Sequence, residues 1–158
     1  MRIKIACVGS LKEKYLILAE KEYKKRISKY AKIEILEVDE VLPKGSGQHA
    51  KLKAIDAQSE KLLALAKDSD YIIALSISGK QMTSEEFSGH LKQCKLNGIS
   101  SFCFIIGGSD GFNDKAAKKS DLILSFSQFT MPHQLFRIVL LEQIYRSMKI
   151  EHGETYHK

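Results

Sequence analysis

The sequence has no tryptophan, two prolines and three cysteines among its 158 residues. It also has no apolar run near the ~20 residues that a membrane-crossing helix needs. The opening MRIKIACVGS turns polar too early for a secretory leader. A cytoplasmic protein is therefore expected, with no membrane partner. Cys7, Cys94 and Cys103 are odd in number and far apart, with no C-x-x-C pair or Cys/His cluster. That argues against a disulfide framework and offers no zinc ligand set, so no metal is expected. Cys7 and Cys103 fall in apolar runs, where a free thiol serves as a small hydrophobe. The dinucleotide fingerprint G-x-G-x-x-G and the phosphate-binding G-K-[ST] loop are both missing.

An acidic excess is missing too. The chain carries 25 Lys and Arg against 19 Asp and Glu, a formal net charge of +6. This favours a polyanionic partner such as nucleic acid. The basic residues form no tail. They spread over KEYKKRISKYAK (21–32), KAAKK (115–119) and the C-terminal end. In the first of these, Lys24, Lys25 and Arg26 are either phosphate contacts or a solvated helix face.

What is present is an alternation of strands and helices. RIKIACVG (2–9) reads as a strand ending in glycine, KIEILEV (32–38) as a strand with one wet face, and YIIALSI (71–77) as a buried strand closed by SGK. SFCFII (101–106) and DLILSF (121–126) complete the set of strands. Helices are expected over 12–30, with Tyr15, Leu18, Ala19, Tyr23 and Ile27 at helical spacing, and over 51–67, through Leu52, Ile55, Leu62, Leu63 and Ala66. Further helices follow a Ser84 cap, near 114–119, and over 134–149. LPKGSGQH (42–49) reads as a mobile loop. With no linker and no repeat, residues 1–158 form one α/β domain around a mostly parallel sheet with flanking helices.

Ligands of such sheets sit at the carboxyl ends of the strands. Three loops leave such ends in the C-terminal half: SGKQMT, GGSDGF and SQFTMPH. If their strands are neighbours, the loops make one pocket. GGSDG is either an ordinary tight turn or a place where something approaches the bare backbone. SQFTMPH is either a loop capped by Thr130 or His133, or a display of free backbone groups able to read an adenine edge. The helix 134–149 is apolar around most of its circumference. It is either a central core helix or one buried against a second subunit.

Together these stretches are similar to the RlmH family. LSISGK (75–80), FIIGGSDGF (104–112), LSFSQFTMPHQLFRIVLLEQIYR (124–146) and the terminal GETYHK carry the resemblance. ACVGSLKEKY (6–15) and EYKKRI (22–27) match as well, so it covers essentially the whole chain. It implies a SPOUT-class methyltransferase that uses S-adenosylmethionine. The implied substrate is N3 of a pseudouridine in helix 69 of 23S rRNA (position 1915), within the assembled 70S ribosome. It also implies a C-terminal deep trefoil knot and a homodimer with sites at the subunit interface.

Carried onto this sequence, the resemblance places cofactor contacts at Leu75, Gly107 and the run Phe126, Ser127, Gln128, Phe129, Thr130 and Met131. A side chain at position 107 would then fill cofactor space. Ser76 stands where the family often has an acidic residue. His133 and His157 are candidates for base or relay, with Arg137 stabilising the developing anion. Tyr156, His157 and Lys158 are the candidate rRNA contacts. A non-catalytic ribosome-binding protein of the same fold is the alternative; the presence of both cofactor loops and the tail counts against it.

Overall fold

The computed structural model describes residues 1–156. Ten elements alternate along the chain: β1 (Arg2–Val8), α1 (Lys14–Ile27), β2 (Lys32–Val38), α2 (Gln48–Ala66), β3 (Tyr71–Gln81), α3 (Ser84–Leu96), β4 (Ser101–Ile106), α4 (Asp114–Lys119), β5 (Leu122–Ser125) and α5 (His133–Glu151). The five strands form one sheet in the order β2-β1-β4-β3-β5, with every pairing parallel. Parallel strands need crossovers, and the intervening helices supply them.

Period-two alternation divides the strand side chains between two cores. Ile3, Ile5, Phe102, Phe104, Ile73 and Leu75 point to one face, where Ile27 of α1, Phe87 and Leu91 of α3 and Leu140, Leu141 and Ile144 of α5 cover them. Ala6, Val8, Ala74, Cys103 and Ile105 point to the other, under Leu62 and Ala66 of α2 and Ala116 of α4. β4 is buried at every position. It lies between β1 and β3 and is covered on both faces, which explains its unbroken apolar run. All three cysteines are free and buried. Burial pushes the Cys7 thiol up to about 12 and the Cys103 thiol to about 11. They are inert hydrophobes, as expected.

Four expectations need adjustment. First, β3 runs on to Gln81 instead of stopping at Ile77. Its pairing with β5 breaks after Leu75 and resumes at Lys80, because residues 76–79 bulge out of the ladder. Gly79 sits on β5 there: a Cβ would lie 2.7 Å from the Ile123 carbonyl oxygen. Second, the α3 cap is Thr83, not Ser84. The Thr83 hydroxyl accepts from Glu86 N–H while the Glu86 carboxylate accepts from Thr83 N–H, a reciprocal capping box. Third, Tyr15 and Leu18 do not face inward; each is 66% exposed. Leu16 is buried in their place, while Ile27 is buried and Ala19 and Tyr23 half-buried, as expected. Fourth, Leu52 of α2 is exposed, and the buried face of that helix includes Ala54, Gln58 and Ser59.

α5 lies alongside α1 with matching direction. Lys12 N–H donates to Gln134, Arg137 reaches Glu20, Tyr23 packs against Tyr145, and Tyr30 against His152. Arg26 pairs with Glu22 at 2.8 Å and rests over the rings of Tyr23 and Tyr145. Much of its charge is thus already engaged.

Candidate active site

Strands β4, β3 and β5 are consecutive in the sheet, so their carboxyl ends meet. The loops after β4 and β5, together with residues 75–77 of β3, line one open cavity of about 440 Å³. The expected third loop, SGKQMT, contributes no lining residue, because β3 continues through it to Gln81. That volume lies within the ordinary range for small-molecule sites. β3 supplies Leu75, Ser76 and Ile77. β4 and its loop supply Ile106 and residues 107–112. After β5 come Phe126, Ser127, Phe129, Thr130 and Met131, with His133 and Phe136 from the start of α5. Of the eight positions named from sequence for a cofactor, seven line this cavity. Gln128 does not; it is exposed beside it.

Small side chains arrange the wall. Ser125 Oγ donates to the Ser127 carbonyl, and Ser127 Oγ accepts from Phe129 N–H at 3.0 Å. These bonds fold the backbone back on itself and turn Phe129 outward, 83% exposed. On the β3 side the Ser76 and Ser78 hydroxyls lie 3.0 Å apart. No carboxylate stands at position 76, so that rim is neutral.

The glycine loop closes on itself. Gly111 N–H donates to the Gly108 carbonyl at 2.9 Å, and Gly111 takes a φ of 75°. A Cβ at Gly107 would lie 2.4 Å from the Gly111 carbonyl oxygen and 2.5 Å from its carbon. This corrects the expectation that a side chain at 107 would fill ligand space. The collision is with the loop's own backbone.

α2 holds this loop from behind, which no sequence motif indicated. Lys51 pairs with Asp110 at 2.6 Å. Ser59 Oγ accepts from Asn113 N–H, and Asp56 accepts from the Asn113 side chain at 2.7 Å. Asn113 in turn caps α4 by accepting from Ala116 N–H. Gln58 is buried against Gly108 and donates to the Val41 carbonyl. The only sequence signal for this arrangement was the acidic residue inside GGSDG, which asks for a cation nearby.

The candidate catalytic residues separate. His133 lines the cavity, close to Gly9, whose added Cβ would lie 3.5 Å from Nε2. It opens α5 without capping it: Pro132 is the N-cap, and neither Thr130 nor His133 makes a side-chain cap bond. Arg137, one turn on, is 1% exposed and lies away from the cavity lining. Its guanidinium donates to Glu37 at 2.6 Å, Glu20 at 3.2 Å and the Gly9 carbonyl at 2.6 Å. It therefore ties the start of α5 to α1, β2 and the end of β1.

Tyr156 is far from this cavity. Its hydroxyl donates to Glu142 at 3.4 Å and its ring packs edge-on against Tyr145, with Arg146 over its face at 4.9 Å. At ~1.5 Å rise per residue, Glu142 is roughly 14 Å along α5 from His133. His157 and Lys158 lie outside the described residues. Among the described residues, no group of His, Cys, Asp and Glu is arranged to hold a metal ion. No described helix is long and apolar enough to cross a membrane.

Known proteins match this chain over its whole length. A family model described as "Predicted SPOUT methyltransferase" matches residues 1–157. Proteins named "Ribosomal RNA large subunit methyltransferase H" from Clostridium botulinum (strain Eklund 17B) and Enterococcus faecalis are 48% and 45% identical to it, each covering all of both chains. Among solved structures, a probable methyltransferase from Bordetella pertussis superimposes with a TM-score of 0.57, at 10% identity, over 92% of this chain and 95% of its own. A putative methyltransferase from Legionella pneumophila, in complex with the bound cofactor SAM, superimposes with a TM-score of 0.51, at 13% identity, over 91% of this chain and 65% of its own. At such identities these structures speak for the fold alone. Full-length family match, relatives near half identity and a shared fold lead to one conclusion: this chain belongs to the RlmH family of SPOUT methyltransferases.

Proposed function

We propose that this protein transfers a methyl group from S-adenosylmethionine to N3 of the helix 69 pseudouridine of 23S rRNA, acting on the assembled ribosome. The observation that carries this reading is the cavity that the loops after β4 and β5 form with residues 75–77 of β3. The names of the full-length relatives support ribosomal RNA as substrate, and a bound SAM in one structural relative supports the cofactor.

The residues present fit the cofactor. Leu75, Ile106, Phe126, Met131 and Phe136 give apolar walls for an adenine ring. The backbone of 107–111 and 126–131 gives hydrogen-bonding groups that no strand has consumed. When bound, S-adenosylmethionine supplies a methyl group on a sulfonium, already activated for in-line displacement. The chain's part is alignment and proton removal. Leu75, Gly107 and the 126–131 backbone hold one reactant. His133, whose position on the cavity wall supports the role, would accept the N3 proton, with His157 the other candidate for base or relay. Removal of that proton would free the N3 lone pair to accept the methyl group that the cofactor would supply. Arg137 contributes by fixing the α5 start that carries His133.

The tail residues Tyr156, His157 and Lys158 are proposed rRNA contacts. Because Tyr156 sits on the far part of its own α5, the tail would serve the cavity of a second subunit. A homodimer is thus part of the proposal. The exposed Tyr15, Leu18 and Leu135, crowded at the end where Lys12 meets Gln134, offer apolar surface for it. The β4-to-β5 connection must pass β3. In the proposed trefoil knot, the chain threads there.

The test is transfer of labelled methyl from S-adenosylmethionine to 70S ribosomes that lack the modification. Intact protein is expected to label 23S rRNA. A chain ending at Glu154 or Thr155 is expected to lose transfer while keeping cofactor affinity. Undiminished turnover by the shortened chain would remove the tail from the site. Cofactor binding without any transfer by the intact protein would favour a non-catalytic binder.

A further inference from the structure

A second hollow lies on the other side of the α2 N-terminal half, outside the candidate active site. Val41, Leu42, Ala50 and Ala54 form its apolar floor, and Lys44, His49 and Lys53 its rim. Its lining includes no carboxylate. The acidic residues of α2 face elsewhere and are engaged: Asp56 with Asn113, and Glu60 with Lys115 at 2.5 Å. Among the described residues, no ion pair joins Lys44 or Lys53 to a carboxylate. All three rim residues are exposed. The first turn of α2 also has no acidic residue and no side-chain cap, so its positive end adds to the field there.

This hollow is linked to the candidate site through one helix. Lys51, on α2 between the groove residues Ala50 and Lys53, pairs with Asp110 of the cavity wall. Gln58 joins Val41 of the groove to the glycine loop of the cavity.

We infer that the groove of Lys44, His49 and Lys53 is a docking track for an RNA strand adjoining the nucleotide held at the cavity. This rests on the rRNA methyltransferase reading above. Lys44 and Lys53 bind phosphates, and exposed Leu42 (72%) gives an apolar surface for a base. Charge complementarity and the link to the cavity wall through Lys51 favour RNA over a second protein chain.

The test compares a groove pair, Lys44→Glu with Lys53→Glu, against a control pair of equal charge change, Lys67→Glu with Lys92→Glu. Ribosome methylation is measured across salt concentrations, with cofactor affinity, melting temperature and sedimentation mass for each protein. The groove pair is expected to raise KM for ribosomes about tenfold more than the control. Its salt dependence should flatten by roughly one to two in log–log slope, as for two lost phosphate contacts. Its kcat and cofactor affinity should stay within about twofold of wild type. If the glutamate pair does not fold, Lys44→Gln with Lys53→Gln is expected to show the same change at smaller size. Equal behaviour of groove and control pairs overturns the inference while wild-type activity upholds the function. Absence of methylation by wild type overturns the functional reading itself. A change of mass in the groove pair assigns the hollow to contacts between copies, and also overturns it.

Discussion

At the scale of single residues, Gly107 and Arg137 are fixed by contacts that their own neighbours do not announce. Gly107 has no room for a Cβ because the chain crosses it at Gly111. Gly107→Ala is therefore expected to reshape the loop. Backbone cannot yield as a flexible side chain can, and overpacking costs about 1–3 kcal/mol. Calorimetry should show lost S-adenosylmethionine binding together with a lowered melting temperature; unchanged affinity would detach the loop from the cofactor. Arg137 has three acceptors and almost no solvent. Arg137→Ala leaves Glu20 and Glu37 facing each other across a hole, at an expected cost of about 2–4 kcal/mol in urea denaturation. Arg137→Lys should recover part of that stability, since the charge returns without the planar fork. Full stability of Arg137→Ala would contradict the anchoring role.

At the scale of elements, the strands were legible because period and length announce them. The five strands and five helices all lie at the stretches expected for them, with β3 running past its expected end and α2 beginning earlier, at Gln48. The inward line of α1 was not legible. Tyr15 and Leu18 share the helical spacing of core residues, and only the packing of α5 beside α1 puts Leu16 in their place on the line that ends at the expected Ile27. The continuation of β3 past Ile77 was hidden for a similar reason. Ser76, Ser78 and Gly79 read as a turn, and only pairing of Lys80 and Gln81 with β5 makes them a bulge.

One clasp between elements has a pH consequence. Asp70, just before β3, accepts from Ser100 N–H, Ser100 Oγ and Ser101 N–H at the start of β4. Those bonds hold its carboxyl at about 2, below its ordinary value of 3.8. A depressed carboxyl stabilises the fold above its unfolded pKa and loses that contribution as pH falls through the folded one. Stability from this clasp should thus fade between about pH 4 and pH 2. Urea midpoints of Asp70→Asn are expected to fall less over that interval than those of wild type. Parallel curves would place the acid sensitivity elsewhere.

At the scale of the whole molecule, two walls of the pocket were legible as the loops GGSDGF and SQFTMPH, but the third was not, since residues 75–77 of β3 supply it and SGKQMT does not. Sequence order says nothing of β4-β3-β5 adjacency, and that adjacency is what gathers Leu75, Gly107 and Met131 around one space. The grip of α2 on the glycine loop joins positions more than fifty residues apart, such as Ser59 and Asn113. No local pattern encodes such a pair. The separation of Tyr156 from the cavity likewise emerges only in three dimensions, and the proposed role of the tail then calls for a second subunit.

The most direct test is where the methyl goes. N3 methylation blocks the pairing edge of the base, so reverse transcription through helix 69 should halt beside the modified nucleotide. Ribosomes lacking the modification, incubated with this protein and S-adenosylmethionine, are expected to show a new stop at the helix 69 pseudouridine and nowhere else in 23S rRNA. The stop should vanish when S-adenosylmethionine is omitted. Methyl incorporation at another nucleotide, or none with the cofactor bound, would contradict the account.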